Sequence, residues 1–413
     1  MNVLMIAHFC GKLDGGNNRF LYLAKLLSKD NDVELITSDF FHEFKKHRNQ
    51  SADSHSLPYK VTMLHESGYP KNVCLKRLSS HKEFAKNLAK YLEKREKPDV
   101  VYCAVPSLDA AKTAAKYCQK NDVRFIVDVQ DLWPEAFQMV FNVPVLSNIL
   151  FSPMARKANY AYAAADEVIA VSKTYVNRAI RVNKKCKNPL VVYLGTDKDY
   201  FDECAAAAAP TSNDELLTRL IDNLKNGDGK IRLAYIGTLG SSYDLTTVFS
   251  AMRKLDKSIL DNIEFVVMGD GPKRSEFEAS AVGLPVVFTG NLAYPEMVWI
   301  LTRCNIAINP IKKGAAASII NKHMDYAMAG LPVISTQESE EYRSLVEEYC
   351  CGINCECENA DEVAAAITEL CTDRDKAVEL GRNSRRMGEE LFDRKQAYQK
   401  IADAICVTTE EKR

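Results

Sequence analysis

Short runs of β-branched residues alternate with helix-length amphipathic segments along most of the chain, and no other feature of the sequence limits the fold as strongly. Neighbouring parallel strands must be joined by a crossover of a dozen or more residues, which is usually a helix. The alternation therefore predicts parallel sheets covered by helices. The predicted strands are 3–7, 33–37, 100–104, 125–129, 167–171 and 191–194 in the first half, and 232–236, 264–268, 286–289, 306–309 and 332–335 in the second.

The regular pattern stops between residues 203 and 229, where an alanine run is followed by Pro210 and an Asn/Gly/Asp cluster. A chain of 413 residues also exceeds the size that one hydrophobic core usually serves. We therefore expect an α/β fold with two Rossmann-like domains that face each other across a cleft. The predicted parts are an N-terminal domain at 1–202, an interdomain linker with room for one helix at 203–229, a second domain at 230–390, and a C-terminal helix and tail at 391–413 that closes the structure.

The composition is that of a globular protein, with 46% hydrophobic and 26% charged residues, which excludes extended disorder. The richest apolar stretch, 140–151, is interrupted by polar residues and a proline, and it is shorter than the roughly 18 to 20 residues of a membrane-spanning helix. The first residues enter an apolar strand without the pattern of a signal peptide. These features predict a cytoplasmic protein.

The thirteen cysteines are spread from Cys10 to Cys406, and an odd number cannot all form internal pairs. The one cluster, at 350–357, lacks the paired spacing of a zinc site and has no histidine nearby. We therefore expect reduced thiols, and we assign neither a metal ion nor a cofactor.

The two halves of the chain carry opposite net charge. Residues 1–200 contain 30 Lys and Arg against 21 Asp and Glu, whereas residues 201–413 contain 24 against 34. A basic first half can attract anionic lipid headgroups or diphosphate-bearing acceptors, although solubilisation by two unlike halves explains the asymmetry equally well. We expect no nucleic acid partner.

Glycine-rich turns follow several predicted strands, which is where open α/β sheets bind ligands. Gly15 and Gly16 precede the first helix and would let backbone amides approach an anion at its N-terminus. The loop lacks the three-glycine spacing of a dinucleotide fingerprint, which disfavours a dehydrogenase. In the second half, two turns close consecutive strands and together predict a nucleotide-diphosphate site that includes Gly237, Thr238, Gly240, Gly269 and Gly271.

A further segment of the second half, 318–330, combines polar residues with small ones. Lys322 and Asp325 are three positions apart and therefore share one face of a helix. An ordinary surface ion pair would explain them, but the small residues that precede them favour a ligand site. We expect Lys322 to reach phosphates and Asp325 to accept hydrogen bonds from ribose hydroxyls, with Ser318 and Asn321 beside them.

Taken in chain order, these segments resemble the family 4 glycosyltransferases, especially those that assemble bacterial capsule, O-antigen and exopolysaccharide. The resemblance spans essentially the whole chain, in the stretches 15–16, 129–135, 165–172, 195–197 with Phe201, 269–272, 288–290 and 325–330. It implies the GT-B fold, retention of anomeric configuration, no metal requirement, an acceptor-binding first domain and a donor-binding second domain. It also implies that Asp325 holds the ribose and that Leu292 and Tyr294 contact the nucleobase.

The chain departs from the family pattern at three positions. Ala317 stands eight residues before Asp325, where the family often has the first of two glutamates. The arginine and lysine usual in the first glycine loop of the donor domain are replaced at about Thr238 and Tyr243. Lys322 is then the best remaining cation for the diphosphate. Reduced donor affinity and an unusual donor are both open alternatives.

No nucleophile for a covalent intermediate is evident in the sequence. We therefore expect the leaving diphosphate to assist deprotonation of the acceptor, while Lys322 and backbone amides stabilise its charge. Asp131 follows a predicted strand beside Trp133, and we interpret it as the second catalytic residue, which orients the acceptor hydroxyl. Capping of the next helix is an equally good interpretation of Asp131. Trp133, Gly15 and Gly16 complete the predicted acceptor site.

The sequence thus predicts a retaining hexosyltransferase that moves a sugar from a UDP-linked donor to a polyprenyl-diphosphate-linked or other glycan acceptor in bacterial surface polysaccharide biosynthesis. Aromatic residues in 133–154, followed by Arg156 and Lys157, suggest peripheral contact with the anionic inner face of the cell membrane. Two alternatives stay open: a UDP-sugar 2-epimerase of the same fold, and a non-catalytic nucleotide-binding or sugar-binding protein.

Overall fold

A computed structural model describes residues 1–13, 18–48, 57–72, 74–140, 144–315 and 318–407, without the side chains of 138–140 and 144–148. The chain forms two compact units. Unit 1 comprises Met1–Tyr193 and Gln396–Arg413, and unit 2 comprises Leu194–Lys395. The limits predicted at 202, 229 and 390 all lie inside unit 2. At the first of these limits, the helix Lys198–Ala206 packs on the helix Tyr294–Leu301 of that unit.

Unit 1 alternates strands with helices in the predicted manner. Its strands are β1 Asn2–Ile6, β2 Asp32–Ser38, β3 Phe40–Phe41, β4 Lys46–His47, β5 Lys60–Leu64, β6 Val100–Val105, β7 Arg124–Val129, β8 Glu167–Ala170 and β9 Leu190–Val191. Its helices are α1 Arg19–Leu27, α2 Leu75–Lys94, α3 Leu108–Asn121, α4 Glu135–Val140, α5 Pro144–Ala164 and α6 Lys173–Ile180.

The main sheet of unit 1 is parallel throughout, in the order β5-β2-β1-β6-β7-β8-β9. Residues of α2, α3 and α5 form an apolar core on one face, and residues of α1 and the C-terminal helix form another on the opposite face. Because helices cover both faces, β6 is buried along its whole length and reads as a continuous apolar run. The parallel, helix-covered sheet predicted for the first half is confirmed.

Two parts of unit 1 were not predicted. The strand β5 pairs with β2 in parallel, although its side chains are mostly half-buried. The short strands β3 and β4 form an antiparallel hairpin beside the sheet. The predicted strand at 191–194 is wrong in extent, because the described strand there spans only Leu190–Val191.

Unit 2 begins with two helices. The first, α7 Lys198–Ala206, crosses the limit predicted at 202, and the second, α8 Glu215–Asn226, lies in the predicted linker, which had room for one helix. Its strands are β10 Ile231–Ile236, β11 Ile263–Met268, β12 Val286–Gly290, β13 Ile306–Asn309, β14 Val333–Ser335 and β15 Gly352–Asn354. Its further helices are α9 Leu245–Met252, α10 Lys257–Leu260, α11 Arg274–Ser280, α12 Tyr294–Leu301, α13 Asn321–Met328, α14 Glu340–Glu348, α15 Ala360–Thr372 and α16 Arg374–Met387, followed by a π-helical turn at Gly388–Phe392.

The sheet of unit 2 is also parallel, in the order β12-β11-β10-β13-β14-β15. Its core joins the strands to α9 and α15. The five strands predicted for this half are confirmed, and β15, which lies among the cysteines of 350–357, was missed. None of the thirteen cysteines, all of which lie in described parts of the chain, forms a disulfide bond.

The last helix, α17 Arg394–Cys406, starts in unit 2 and continues into unit 1. Its apolar residues Tyr398, Ile401, Ala402 and Ile405 are buried in the core of unit 1. This arrangement confirms the predicted C-terminal helix. Of the helices that the structure describes, none combines the length and apolar character that crossing a bilayer requires.

The turns after β10 and β11 lie so close together that only glycine fits at two positions. Gly269 has a φ of +149°, and a Cβ built there would lie 1.9 Å from the carbonyl oxygen of Gly237. A Cβ on Gly271 would lie 2.4 Å from the carbonyl oxygen of Leu239. Backbone hydrogen bonds of 2.9 Å, one of them donated by the Gly237 amide, connect the two turns. Close packing of the two turns therefore explains Gly269 and Gly271.

Gly269→Ala is expected to destabilise unit 2, because the new methyl group meets backbone and alanine is strained at this φ. Strain and overpacking each cost about 1–3 kcal/mol, so the free energy of unfolding should fall by at least about 2 kcal/mol. Gly283→Ala is the matched control, since Gly283 has a φ of +81° but no atom within 4 Å of its Cβ position.

The measurement is urea unfolding followed by tryptophan fluorescence in a Trp133→Phe background, where Trp299 of unit 2 is the one remaining tryptophan. We expect Gly283→Ala to lower the free energy of unfolding by less than Gly269→Ala does. Equal losses would mean that backbone strain alone, without the contact to Gly237, determines the effect.

Candidate active site

The predicted donor residues lie at the carboxyl ends of the central strands of unit 2. The strands β10 and β13 are neighbours, and the chain proceeds from them towards opposite edges of the sheet. Ligands of open α/β sheets bind beyond the carboxyl ends of strands at such a reversal. The turn at 237–240 follows β10, the turn at 269–271 follows β11, and the segment that leads into α13 follows β13.

Lys322 is the second residue of α13, and its ammonium lies against the turn after β10. The residue is 6% exposed. Its Nζ lies 3.9 Å from the ring centroids of both Tyr235 and Tyr243 and 3.3 Å from the position that a Cβ on Gly237 would take. Nζ has no hydrogen-bond partner among the described residues. The alternative of a surface ion pair with Asp325 is therefore wrong.

A buried ammonium without an acceptor is electrostatically unfavourable. Burial lowers the pKa of Lys322 well below its ordinary value. Two tyrosine rings offset part of this effect, since one cation–π contact contributes about 0.5–2 kcal/mol. An anionic oxygen beside Nζ would supply both the missing acceptor and the opposite charge. This place is chemically suited to a phosphate group.

Asp325 follows Lys322 on the same helix and is also buried, with 8% of the residue exposed. Its Oδ1 accepts hydrogen bonds from the Tyr294 hydroxyl at 2.9 Å and the Thr196 hydroxyl at 3.3 Å. Burial raises the pKa of Asp325 to about 6, and the two hydroxyls and the nearby Arg394 offset only part of that rise. An ionised carboxylate has about four lone-pair sites, so it can also accept from ribose hydroxyls.

Tyr294, predicted to contact the nucleobase, is occupied with other groups of unit 2. Its hydroxyl donates to Asp325, and its ring stacks on Tyr200 with 6.0 Å between centroids and 12° between planes. Leu292, just before α12, is half-buried. The nucleobase contact of Leu292 and Tyr294 stays a prediction, and Tyr200 is an aromatic neighbour that the sequence did not reveal.

The other predicted donor residues differ in how their side chains are used. The Ser318 hydroxyl donates to Oε2 of Glu341 at 3.1 Å, whereas Asn321 begins α13 and is exposed. Thr238 is exposed as well, and its carbonyl accepts from the Tyr235 hydroxyl at 2.8 Å. That bond ties the turn containing Thr238 and Gly240 to one of the rings that contact Lys322.

Asn309, at the end of β13, was missed in the sequence. Its side chain is buried, and its Nδ2 donates to Ser335 Oγ and Gln337 Oε1, each at 3.0 Å. Its Oδ1 has no partner within the described ranges. A polar residue that ends an apolar strand was the available signal.

In unit 1, Asp131 lies in the loop after β7. Its Oδ1 accepts from the Leu132 amide at 2.8 Å and its Oδ2 from the Trp133 indole at 2.9 Å. These bonds stabilise the loop, and neither involves an amide of α4, so the capping interpretation is wrong. Burial raises the pKa of Asp131, while the bonds from Trp133 and Leu132 lower it in part. Trp133 itself is 6% exposed, so its predicted contact with the acceptor is limited.

A cluster of aromatic rings surrounds one arginine beside Asp131. The Arg77 Cζ lies 4.5 Å from the Trp133 ring centroid, 5.4 Å from that of Tyr69 and 5.6 Å from that of Phe9. His81 stacks on Trp133 with 5.9 Å between centroids and 7° between planes. Burial lowers the pKa of Arg77, and that of His81 to about 2. Sequence reasoning missed this cluster because its members come from separate segments of the chain.

His8, which follows β1, joins two polar groups in the interior of unit 1. Its Nδ1 lies 2.6 Å from Ser107 Oγ and its Nε2 lies 2.7 Å from Glu66 Oε1. Burial acts to raise the pKa of Glu66, but hydrogen bonds from His8, Ser38 and Ser80 outweigh it and lower that pKa to about 2. Glu66 is therefore an ionised acceptor for His8 at neutral pH.

Gly15, Gly16 and Ala317 lie outside the described residues, so the inferences drawn from them stay predictions. The helix after the two glycines begins with a cap of its own. The Asn18 side chain accepts from the Phe20 and Leu21 amides at 2.9 and 3.2 Å. An anion at this N-terminus would have to compete with Asn18 for these amides.

Asp325→Asn is expected to change how the stability of unit 2 depends on pH. The pKa of Asp325 is about 6 in the folded state against 3.8 ordinarily, so between these pH values the folded state binds more protons and the wild type loses stability as the pH rises. A difference of about two pKa units corresponds to about 3 kcal/mol. Part of this change occurs below pH 4, so the free energy of unfolding of the variant, relative to the wild type, should rise by about 2.4 kcal/mol from pH 4 to pH 7.

Urea unfolding at several pH values, with Trp299 fluorescence in the Trp133→Phe background, measures this difference. Because only the change with pH is compared, a constant effect of the new amide cancels. If the variant and the wild type differ in free energy of unfolding by the same amount at pH 4 and at pH 7, folding does not raise the pKa of Asp325.

Family models match both units of the chain. Residues 13–200 match the model described as Glycosyltransferase Family 4, and residues 218–387 match the model described as Glycosyl transferases group 1. The chain is also 25% identical over 190 residues to the sulfoquinovosyl transferase SQD2 of Arabidopsis thaliana. That alignment covers 46% of this chain and 34% of the relative, so the chain matches only about a third of the curated relative's length.

Solved structures with a similar fold include HepE of Anabaena in complex with UDP, with a TM-score of 0.67 and 18% identity over 98% of this chain and 99% of that chain. Sucrose-phosphate synthase from Thermosynechococcus elongatus has a TM-score of 0.68 and 15% identity over 97% of each chain. At these identities the likeness shows the fold. The chain therefore has the GT-B fold, with a first half that matches the Glycosyltransferase Family 4 model and a second half that matches the model of Glycosyl transferases group 1.

Proposed function

We propose that the protein transfers a sugar from a nucleotide diphosphate to an acceptor and that unit 2 binds the donor. The observation that carries this proposal is the buried Lys322 ammonium, which lies beside the turn at Gly237 and lacks a hydrogen-bond partner in the part of the chain that the structure describes. A diphosphate oxygen there would complete its coordination. One charge-assisted hydrogen bond of this kind contributes about 1.5–3 kcal/mol.

The donor is proposed to be a UDP-linked hexose. Support comes from the family resemblance and from the similar fold of HepE, which has been solved with UDP, with UDP-glucose, and with UDP and glucose. In this proposal Asp325 accepts hydrogen bonds from the ribose, and Leu292 and Tyr294 contact the uracil. The amides of the two glycine turns and the start of α13 would bind the diphosphate beside Lys322.

Transfer is proposed to retain the anomeric configuration without a covalent enzyme intermediate. The bond from the anomeric carbon to the diphosphate oxygen breaks, and a bond to the acceptor oxygen forms on the same face of the sugar. The acceptor proton passes to the departing diphosphate, whose charge Lys322 stabilises. This scheme uses no metal ion.

Unit 1 is proposed to bind the acceptor, with Asp131 orienting the hydroxyl that attacks. The half-buried Asp131 carboxylate lies beside Arg77 and the aromatic rings around it, and apolar surfaces of this kind suit the faces of sugar rings. On the family resemblance, the acceptor is a lipid-linked glycan, such as a polyprenyl-diphosphate-linked intermediate of a bacterial capsule or lipopolysaccharide.

Such an acceptor requires contact with the cytoplasmic face of a membrane, and we propose peripheral binding through unit 1. The helices α2 and α3, which pack together, carry exposed lysines at intervals of one turn: Lys82, Lys86, Lys90 and Lys94 on α2, and Lys116 and Lys120 on α3. Ile149 and Leu150 of α5 are exposed apolar residues. Lysines attract anionic headgroups, and exposed apolar side chains can insert between them.

Lys322→Met tests the donor site. Methionine keeps most of the side-chain volume but removes the charge, so affinity for UDP should fall about 10-fold to 100-fold, as expected for the loss of one charge-assisted hydrogen bond. Without nucleotide, the variant should melt at the same or a higher temperature than the wild type, because a buried unpaired charge has been removed. Calorimetric titration with UDP and thermal unfolding measure the two effects.

Lys313→Met is the matched control, since Lys313 is an exposed lysine of the same unit. It should bind UDP as the wild type does. If Lys322→Met binds UDP with unchanged affinity, Lys322 does not hold the diphosphate. If the wild type binds no nucleotide diphosphate, the proposed donor site is wrong.

Asp131→Asn tests the acceptor site. The rate of transfer from labelled UDP-sugar to lipid-linked acceptors of a membrane extract should fall about 100-fold or more, while the affinity for UDP stays unchanged. Glu135→Gln removes a nearby carboxylate that pairs with Arg178, and it should keep most of the activity. Loss of UDP affinity in Asp131→Asn would point to a general folding defect, and unchanged transfer would exclude the role of Asp131. Conversion of the UDP-sugar without any acceptor would favour the epimerase.

A further inference from the structure

Three side chains of unit 1 that play no part in the proposed transfer converge on one point. Asp39 directly follows β2, His47 lies in β4, and His65 directly follows β5. The His65 Nδ1 lies 2.7 Å from Asp39 Oδ2, and the His47 Nδ1 lies 3.3 Å from Asp39 Oδ1. The carboxylate and the two ring nitrogens all lie within 4.8 Å of one another.

These separations are close to those of ligands around one small cation. Zinc bonds of about 2.0–2.2 Å at tetrahedral angles separate neighbouring ligand atoms by roughly 3.3–3.6 Å. The observed distances of 2.7 and 3.3 Å and the limit of 4.8 Å bracket this range. Small rotations of the two histidine side chains, which are 45% and 61% exposed, would therefore bring all three atoms to bonding distance.

We propose that Asp39, His47 and His65 form a binding site for a divalent transition metal, with zinc as the best match. Two imidazole nitrogens and one carboxylate oxygen form a donor set that suits zinc, whereas magnesium and calcium prefer oxygen ligands alone. Water would complete the coordination, because the two histidines face solvent.

An ordinary pair of hydrogen bonds to Asp39 is the alternative to a metal site. It explains one histidine well, since His65 is close to the carboxylate. It explains less well why His47, an exposed side chain on another strand, also directs its Nδ1 to the same carboxylate while its ring stacks on His65 with 5.5 Å between centroids. Two imidazole nitrogens that converge on one carboxylate bring together three groups that can bind the same cation.

The backbone already holds the three ligands in place. The Asp39 amide donates to the Leu64 carbonyl at 3.0 Å, and the Asp39 carbonyl accepts from the Arg48 amide at 2.7 Å. The Glu66 amide donates to Asp39 Oδ1 at 3.2 Å. These bonds connect the residues next to His47 and His65 to Asp39. A metal ion would therefore bind a largely formed site.

The bound ion would stabilise the neighbourhood of His8. Asp39 is next to Ser38, and His65 is next to Glu66, and the Ser38 hydroxyl donates to Glu66 Oε1 at 2.5 Å. Glu66 is the carboxylate that lies 2.7 Å from His8. A metal that joins the ends of β2 and β5 would thus restrain Ser38 and Glu66, which contact each other beside His8. Its role is structural, and it takes no part in the transfer step.

The test uses the full chain without a polyhistidine tag, freed of metal and titrated with Zn²⁺ and Co²⁺. The wild type should bind one ion of each per chain, and the cobalt complex should lack a thiolate charge-transfer band. His47→Gln and His65→Gln should each weaken binding by at least about 10-fold, since even groups that only support a metal ligand contribute 10-fold to 100-fold. Both side chains are exposed, so the variants should fold.

His42→Gln is the matched control, because His42 belongs to the same hairpin but pairs with the Tyr69 hydroxyl at 2.5 Å. It should bind metal as the wild type does. A chelator should lower the melting temperature of zinc-loaded wild type and leave the His47→Gln, His65→Gln double variant unchanged. Binding that survives in the double variant, a thiolate band, or no saturable binding of either ion by the wild type would each overturn the proposal.

Discussion

The parallel alignment of β10, β11 and β13 is the constraint on which the candidate donor site depends. Parallel strands present their carboxyl ends at one edge of the sheet, so the segments that follow them must share that edge. The turn after β10 occupies the space that side chains on Gly269 and Gly271, both in the turn after β11, would need. Lys322 then reaches the first turn from α13. Each part is held in position by contacts with the others.

Two kinds of buried charge occur in the structure. In unit 1, Arg19 bonds to both oxygens of Asp128 and to the Val192 carbonyl, and although burial acts to lower the pKa of Arg19, Asp128 raises it. That arginine is fully engaged within the fold. In unit 2, Lys322 and Asp325 are both buried, but the Lys322 ammonium does not bond to the Asp325 carboxylate. Burial lowers the pKa of Lys322 and raises the pKa of Asp325. Groups that reduce stability in this way are retained more readily where a ligand needs them.

Much of the fold could be predicted from the sequence because strands buried on both faces are continuous apolar runs. The strand β5 lacked that signal, since it is half-buried, and β15 was too short and polar to stand out. The shared face of Lys322 and Asp325 followed from helical spacing. The residues that contact them could not be predicted, because Tyr243 and Thr196 are distant in sequence from Lys322 and Asp325 and contact them only after folding. The same holds for Asp39 and His65, which are 26 residues apart.

The neighbours of Lys322 also bear on the departures from the family pattern. At about Tyr243, where the family usually carries a lysine, this chain has an aromatic ring, and that ring lies 3.9 Å from the Lys322 Nζ. The cation of this chain therefore comes from α13, and it lies beside Tyr243, the residue that stands in place of the usual lysine. A tyrosine in this position contributes the face of its ring to the ammonium, whereas a second lysine would repel it. Tyr243 and Lys322 are thus compatible neighbours, and their contact favours a proposed donor site whose cation comes from α13 over one that has no cation.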